Sequence, residues 1–506
     1  MRTNQPVNSH EDLLGVVDGL LEELGLDRGD TGGKVSFAGL DPLRPTVLKT
    51  GAASAAIAAA NAIASAIIWR QRSGEGQDIH VDLRKAFTYQ SPWQDVLANC
   101  TKLNGHSIMF LPSYGGEFML PTRDNRFVVL IAPYPSQQRK VAQLFRCGFT
   151  EEQLSQAARK WDAADLEAAG QDMSLPVSMI RTFEEFEASD HWRDHAATPL
   201  VQIEKIGDSE PEPFPPGERP LSGVRALGMT HVVAGPTVLR QLAAQGADSL
   251  NIHPVGYVEE AGVYVQSFAG VRQAFLDARS TLIPGTPATN RKAVYDLVRD
   301  ADVFVENLKP QEAASEGYAA EDLAEVRPGI VYVRIKLNTV TGPWANWVGF
   351  DLNAGAFTGF YTAEGTPEQP RFAVGVNVVV DFLCGMLAAA GVQAALLRRA
   401  KEGGSYRVTV TLAQTTTFEL SLGLNDKAQL LTIDELGPEH QIQTPNLVTG
   451  TTPFGELTRL ASQVEMSKTP EYWTDPILVP LGSGRPEWLP NQTQKGSSAA
   501  TTRRAA

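Results

Sequence analysis

Apolar positions along the chain fall into three successive patterns, each predicting a different kind of structure. Residues 11–26 (EDLLGVVDGLLEELGL) repeat them at helical spacing and predict an amphipathic helix. Gly51–Trp69 is dominated by Ala and Ile on every face. Its length approaches a membrane span, but Ala is weakly hydrophobic and Ser54, Asn61 and Ser65 interrupt it, so a close-packed buried helix is expected. RSGEGQ (72–77) reads as a turn and DIHVDLRKAF after it alternates like a strand. A second pattern begins with YGGEFMLPTRDNRFVVLIAPY, a hairpin turning at Arg123-Asp124-Asn125. Helices in QQRKVAQLF and TEEQLSQAARKW follow, so residues 113–207 form a small α+β domain. RTFEEFEASDHWRDH (181–195) reads as one further helix. DSEPEPFPPGERP (208–220) is too rich in proline and acid to pack and marks a linker.

The third pattern, after the linker, is β-α-β. VRALGM predicts a strand, THVVAGPT a loop, VLRQLAAQ a helix and DSLNIH a second strand. NRKAVYDLVRD, VFVENL, AAEDLAEV and IVYVRIK continue the alternation, which predicts an α/β fold with a parallel, doubly wound sheet. No GxGxxG follows the first strand, so the dinucleotide fingerprint is missing and a dehydrogenase is a poor expectation. The loop from His231 to Pro236 stands in its place.

One stretch organises the rest: Val374–Arg399, VGVNVVVDFLCGMLAAAGVQAALLRR. Val378-Val379-Val380 reads as a buried strand or extended approach, then Asp381, then an apolar helix ending in Arg398 and Arg399. An Asp at that junction caps the helix, and the helix end would keep its carboxylate ionised. A fixed, ionised carboxylate beside an apolar site is also a candidate nucleophile, and the local pattern alone leaves both roles open. A weak internal repeat adds to this. When Gly74 is set on Gly403, Val47 meets Val376, Arg70 meets Arg399, Val81 meets Val410, and Ala52 falls opposite Asp381.

Composition narrows the chemistry. A formal charge of −14 and a pI near 5.2 argue against a nucleic-acid surface. Three cysteines (Cys100, Cys147, Cys384) in no metal spacing are too few for a disulfide framework and fit a reducing cytoplasm. MRTNQPVNSHEDLL lacks the apolar segment of a secretion signal, and the histidines form no HExxH, so no metal is expected.

The ordered blocks resemble the family III CoA transferases (the CaiB/BaiF type, which includes formyl-CoA and carnitine-type CoA transferases). PLSGVRALGMTHVVAGP with QLAAQGAD, then ADVFVENLKP, EDLAEVRPGIVYVRI, TGPWANWVGFDLNAGAFTG and the Asp381 block follow the family's order. Residues 40–215 resemble the later part of the same fold with its small domain, and TPFGELTRL a further segment. The resemblance implies a Rossmann-like sheet domain at 221–425, a partial copy of the large domain at 1–112, a family-like segment at 426–488 and a disordered tail at 489–506. It implies CoA transfer from an acyl-CoA to a small carboxylic acid through covalent catalysis, with Asp381 as nucleophile and CoA as substrate rather than a bound cofactor. Backbone N–H donors would come from Val233, Ala234 and Gly235. Asn307, Lys309 and Pro310 match the stretch touching the CoA nucleotide, and Arg272 and Lys336 are further candidates for its anions. His231 and Asp351 are read as a turn histidine and a helix cap. The expected setting is cytoplasmic, without nucleic acid or membrane.

Departures from the family keep alternatives open. Val233 stands where many relatives carry Gln, and no glycine-rich flap follows Leu412. Both favour a non-catalytic acyl-CoA-binding paralogue or subunit. An acyl-CoA racemase would need a His where Phe350 stands. Because a partial copy precedes the copy with the aspartate, the N-terminal half is expected to pack as the partner a family member obtains from its dimer mate. The protein would then be a homodimer or a pseudo-dimeric monomer.

Overall fold

The computed structural model describes residues 6–90, 100–108, 115–278, 290–373 and 379–490. Helix α1 (His10–Leu24) starts at Ser9, whose hydroxyl accepts from the Asp12 N–H, and ends at Gly25 in the left-handed region. Strand β1 (Val35–Ala38), helix α2 (Thr50–Ser73), β2 (Ile79–Asp82) and α3 (Leu83–Gln90) follow. The strand expected over DIHVDLRKAF therefore stops at Asp82. The carboxylate of Asp82 accepts from the Arg84 N–H at 3.0 Å and so starts a helix there.

Two short strands, β3 (Lys102–Leu103) and β4 (His106–Ser107), precede the small domain. That domain comprises the antiparallel sheet β5 (Glu117–Pro121), β6 (Phe127–Ile131) and β7 (Val177–Met179). Packed on it are α4 (Pro135–Phe145), α5 (Glu151–Ala158) and α6 (Ala163–Asp172). The single helix expected over 181–195 is two, α7 (Phe183–Glu187) and α8 (Trp192–Ala197). The break lets Phe183, Phe186, Trp192 and His195 meet in one aromatic cluster with Trp344.

The large sheet is built from β8 (Val201–Gly207), β9 (Arg225–Met229), β10 (Asp248–His253), β11 (Arg272–Phe275), β12 (Val303–Glu306), β13 (Val331–Lys336) and β14 (Ser405–Thr411). Its order is β11-β10-β9-β12-β13-β14-β8, parallel except for β8. Helices α9 (Ala234–Ala244), α10 (Ala261–Ser267), α11 (Arg291–Val298), α12 (Ala320–Val326), α13 (Asp351–Thr358), α14 (Val379–Glu402) and α15 (Leu412–Ser421) accompany it. The six parallel strands, numbered in chain order from β9, run 3-2-1-4-5-6 across the sheet, the doubly wound order, with its reversal between β9 and β12. Strand β8, which sequence pattern grouped with the small domain, closes the far edge against β14. The Pro-rich segment after it is packed rather than loose. Glu212 takes both arms of the Arg327 guanidinium at 2.7 Å, and its N–H donates to the Arg399 carbonyl. A last sheet joins β15 (Leu447–Thr452) and β16 (Gly455–Leu460) to β3 and β4, while β17 (Val464–Met466) pairs with β2.

The internal repeat has a structural counterpart. Helices α2 and α14 are both 24 residues long, pack against each other, and each leads to a strand and a further helix. Strands β1 and β2 are parallel with β17 antiparallel beside β2, as β13 and β14 are parallel with β8 antiparallel beside β14. Both helices are long and apolar enough to cross a membrane, yet both are enclosed by protein. Inside their contact Gln393 donates to the Asn61 carboxamide oxygen at 2.8 Å and accepts from Ser65 at 2.6 Å. A lipid face would leave such groups unpaired. Val379 and Val380 open α14 instead of forming a strand, and Val378 lies outside the described residues, as does the tail from residue 491.

Candidate active site

In an open α/β sheet, a crevice forms beyond the carboxyl ends of the strands where the order reverses. Here that place is a cavity of about 130 Å³. His231, Val232, Val233 and Ala234 enter it after β9, Asn307 to Pro310 after β12, and Lys336 and Leu337 at the end of β13. Trp347 to Phe350, Asp381 and Leu412 complete the large-domain wall, and Gln137, Ser174 and Pro176 of the small domain face them. Of the residues singled out in the sequence, Asp381, Val233, Ala234, Asn307, Lys309 and Lys336 therefore meet in one place.

Asp381 lies in the first turn of α14 and is 6% exposed. Glycine at 385 brings this turn against α9. A Cβ there would stand 2.5 Å from the Ala234 carbonyl oxygen and 2.6 Å from Thr237 Cβ, so no other residue fits. Two helix N-termini thus converge on the cavity, each favouring negative charge. That does not hold Asp381 in the usual carboxylate range, as the sequence suggested. Burial, then the neighbouring Asp351 carboxylate, push its pKa well up. Asp351 is itself buried at the start of α13. It is not that helix's cap: Phe350 occupies the position, and its N–H donates to Asn353 at 3.0 Å.

The loop between β9 and α9 is held from two sides. Asn307 accepts from the His231 N–H at 3.1 Å and donates to the His231 carbonyl at 2.8 Å. On the other side the Val232 N–H donates to Glu259 at 2.8 Å. Val232 has φ +64°, a costly conformation for a β-branched residue. Val233 then caps α9 with its carbonyl accepting from Thr237. Gly235 has no unusual φ. Its need is steric, since a Cβ would stand 2.8 Å from Thr230 Cβ and 2.9 Å from Asn307 Cγ. Among the described residues, no acceptor in the protein takes the N–H groups of Val233, Ala234 or Gly235. First-turn N–H groups point back along the helix axis, here toward the cavity.

The cationic candidates separate. Lys336 is a wall residue whose ammonium is neutralised by buried Glu306 at 2.8 Å and also donates to the Leu308 carbonyl. Lys309 is exposed at the mouth, and among the described residues no acid pairs with it. Lys140 is close enough that Lys309, after burial, lowers its pKa. Arg272 does not reach the cavity. It is the first residue of the edge strand β11, at the amino end of the parallel sheet and away from the carboxyl ends that form the cavity, where its guanidinium pairs with both oxygens of Asp248 at 2.9 and 3.0 Å. Sequence reasoning missed Glu259, the strained Val232 and the Asp351–Asp381 proximity. Only the Glu259-Glu260 pair in a Gly- and Val-rich loop hinted at any of them.

At the N-terminus of α2, the counterpart of Asp381 is Ala52, likewise the third residue of its helix. Its N–H is taken by Asp41 at 2.7 Å, with Gly51 at 3.3 Å. This helix end carries a carboxylate of its own chain.

The family model of CoA-transferase family III matches residues 221–445. An acyl-CoA transferase of Fusarium pseudograminearum is 29% identical over 221 residues, 40% of this chain and 47% of the relative. A succinate–glutarate CoA-transferase of Agrobacterium fabrum is 30% identical over 219 residues, 41% of this chain and 54% of the relative. The chain thus spans about half the length of the curated relatives it matches. A solved CaiB/BaiF family protein from Brucella suis aligns at 22% identity and a TM-score of 0.36, over 47% of this chain and 65% of that one. Residues 221–445, which carry Asp381 and every large-domain wall of the cavity, are thus the part of this chain that is similar to CoA-transferase family III.

Proposed function

We propose that the protein transfers CoA from an acyl-CoA thioester to a small carboxylic acid, with Asp381 as the covalent nucleophile. The observation that carries this is a buried carboxylate at the strand-order reversal, set between two helix N-termini with unpaired N–H groups beside it. The Asp381 carboxylate attacks the thioester carbonyl and expels CoA thiolate, leaving a mixed anhydride. The thiolate attacks the aspartyl carbonyl, releasing the donor's carboxylate and forming an aspartyl-CoA thioester. The acceptor carboxylate attacks that thioester, and the thiolate returns to the acceptor's acyl carbon, regenerating Asp381. Each addition puts negative charge on an oxygen, which the N–H groups of Val233, Ala234 and Gly235 are suited to receive. Dividing one exchange into steps of similar energy is the gain of the covalent route.

Lys309 at the mouth, with Lys140 near it, is our candidate for the CoA phosphates, and Asn307 acts by holding the donor loop. The relative named for succinate and glutarate supports a short carboxylic acid as acceptor. The three cysteines are free thiols, in keeping with a reducing cytoplasm, where we place the reaction. The test is intact-protein mass after incubation with a panel of acyl-CoAs, with hydroxylamine or borohydride to trap an activated aspartate. A modification at Asp381, absent in Asp381→Asn, is the expected result. CoA binding without any adduct would leave a non-catalytic acyl-CoA-binding protein.

A further inference from the structure

Glu259 is nine-tenths buried, at 7% exposure, yet belongs to no catalytic step described above. Its two oxygens take four donors from separate parts of the chain. Oε1 accepts from the Tyr134 hydroxyl at 2.8 Å and the Glu260 N–H at 3.0 Å. Oε2 accepts from the Tyr257 hydroxyl and from the Val232 N–H at 2.8 Å. Tyr134 stands between β6 and α4 of the small domain, whereas Val232 belongs to the loop after β9. One carboxylate therefore ties the small domain to Val232, a β-branched residue of the cavity wall with a left-handed backbone.

A β-branched residue does not stay at φ +64° unless its surroundings hold it there. If Val232 relaxes toward the extended region, the N–H groups of Val233 and Ala234 turn with it, and the seat for the oxyanion is lost. The Asn307 bonds hold the His231 N–H and carbonyl, and Glu259 takes the N–H at the other end of the same His231–Val232 peptide, where the left-handed turn at Val232 begins. We infer that Glu259 is a positioning residue that keeps Val232 in its left-handed conformation and so aims the Val233 and Ala234 N–H groups at the reacting carbonyl. A carboxylate is needed because each oxygen accepts twice; the amide of Gln offers one accepting atom and places an N–H against a donor. This inference rests on the transferase reading for its catalytic meaning.

The test uses the full chain with Glu259→Gln alone and combined with Val232→Gly. Glu259→Gln should lower kcat on the order of 10²-fold, the scale of a misplaced catalytic group, with KM for acyl-CoA changed less than about threefold. Hydrogen exchange at residues 232–235 should quicken while the rest of the sheet domain exchanges as before. Glycine pays little for a positive φ, so Val232→Gly in the Glu259→Gln background should return roughly tenfold of the lost kcat. A uniform rise in exchange, or a lost kcat that Val232→Gly does not recover, would make Glu259 a structural tie only and overturn the inference. Unchanged kcat and exchange in Glu259→Gln would overturn it as well. A wild-type protein with no Asp381 adduct would sink the transferase reading, while the exchange experiment would still decide whether Glu259 holds the loop.

Discussion

Glutamate 419 gives the most quantitative handle on how the two halves of the chain are joined. It lies on α15, is 1% exposed, and accepts from the Thr50 hydroxyl at the start of α2 at 2.5 Å. Burial, with Asp41 and Glu364 nearby, raises its pKa from 4.5 to about 7, the Thr50 bond opposing the rise. A carboxyl whose folded pKa is raised holds its proton more tightly when folded. Its contribution is therefore neutral below about pH 4.5 and becomes increasingly destabilising as pH rises through about 7. At about 1.4 kcal/mol per pH unit, the full penalty is about 3 kcal/mol at pH 8 and under about 1 kcal/mol at pH 5. Glu419→Gln keeps an acceptor for Thr50 but cannot ionise. Urea unfolding of wild type and variant at both pH values, with equal m-values, should give a stabilisation of about 3 kcal/mol at pH 8 that mostly vanishes at pH 5. A stabilisation independent of pH, or a variant weaker than wild type at pH 8, would refute the assignment of a buried, readily protonated carboxyl at this junction.

Four further outcomes follow from the structure. Asp351→Asn removes a negative charge that raises the Asp381 pKa, so the acid limb of the pH profile for adduct formation should move to lower pH; a move upward or none would count against that coupling. Gly385→Ala puts a Cβ into the Ala234 carbonyl and Thr237. It should destabilise by about 1–3 kcal/mol and reduce adduct formation by shifting α14 from α9, read by melting temperature and intact mass. Lys309→Ala should raise KM for acyl-CoA several-fold with kcat little changed. Arg272→Ala should instead lower the melting temperature through the loss of its Asp248 pair and leave KM alone, and the reverse pattern would refute the placement of the two cations.

Much of the framework is local and was therefore legible from residues near one another in the chain. Alternating apolar strands and 3.6-residue periodicity mark β9, β10, β12 and β13 with helices α9, α11 and α12, because each element's pattern is set by its own neighbours, whereas α10 and β11 went unread. The same holds for the buried α2, for the hairpin turning at Asn125, and for the helix that carries Asp381. Where reading failed, a distant contact decided. The helix expected over 181–195 breaks to feed one aromatic cluster, and residues 201–207 leave the small domain because β14 offers an open edge. Arg272 looked like an anion ligand until the sheet put Asp248 beside it, on the edge away from the cavity. Asp381 reads as an ionised helix-end carboxylate only while its burial, and then Asp351 thirty positions back, are out of view. The sequence by itself determined the alternation of strands and helices at the centre of the large sheet and which carboxylate begins the long apolar helix. The tertiary structure alone decided the upward push on that carboxylate's pKa, the grip of Glu259 on a strained valine, and which cations face the cavity. Those properties come from charges, donors and burial contributed by segments that only folding brings together.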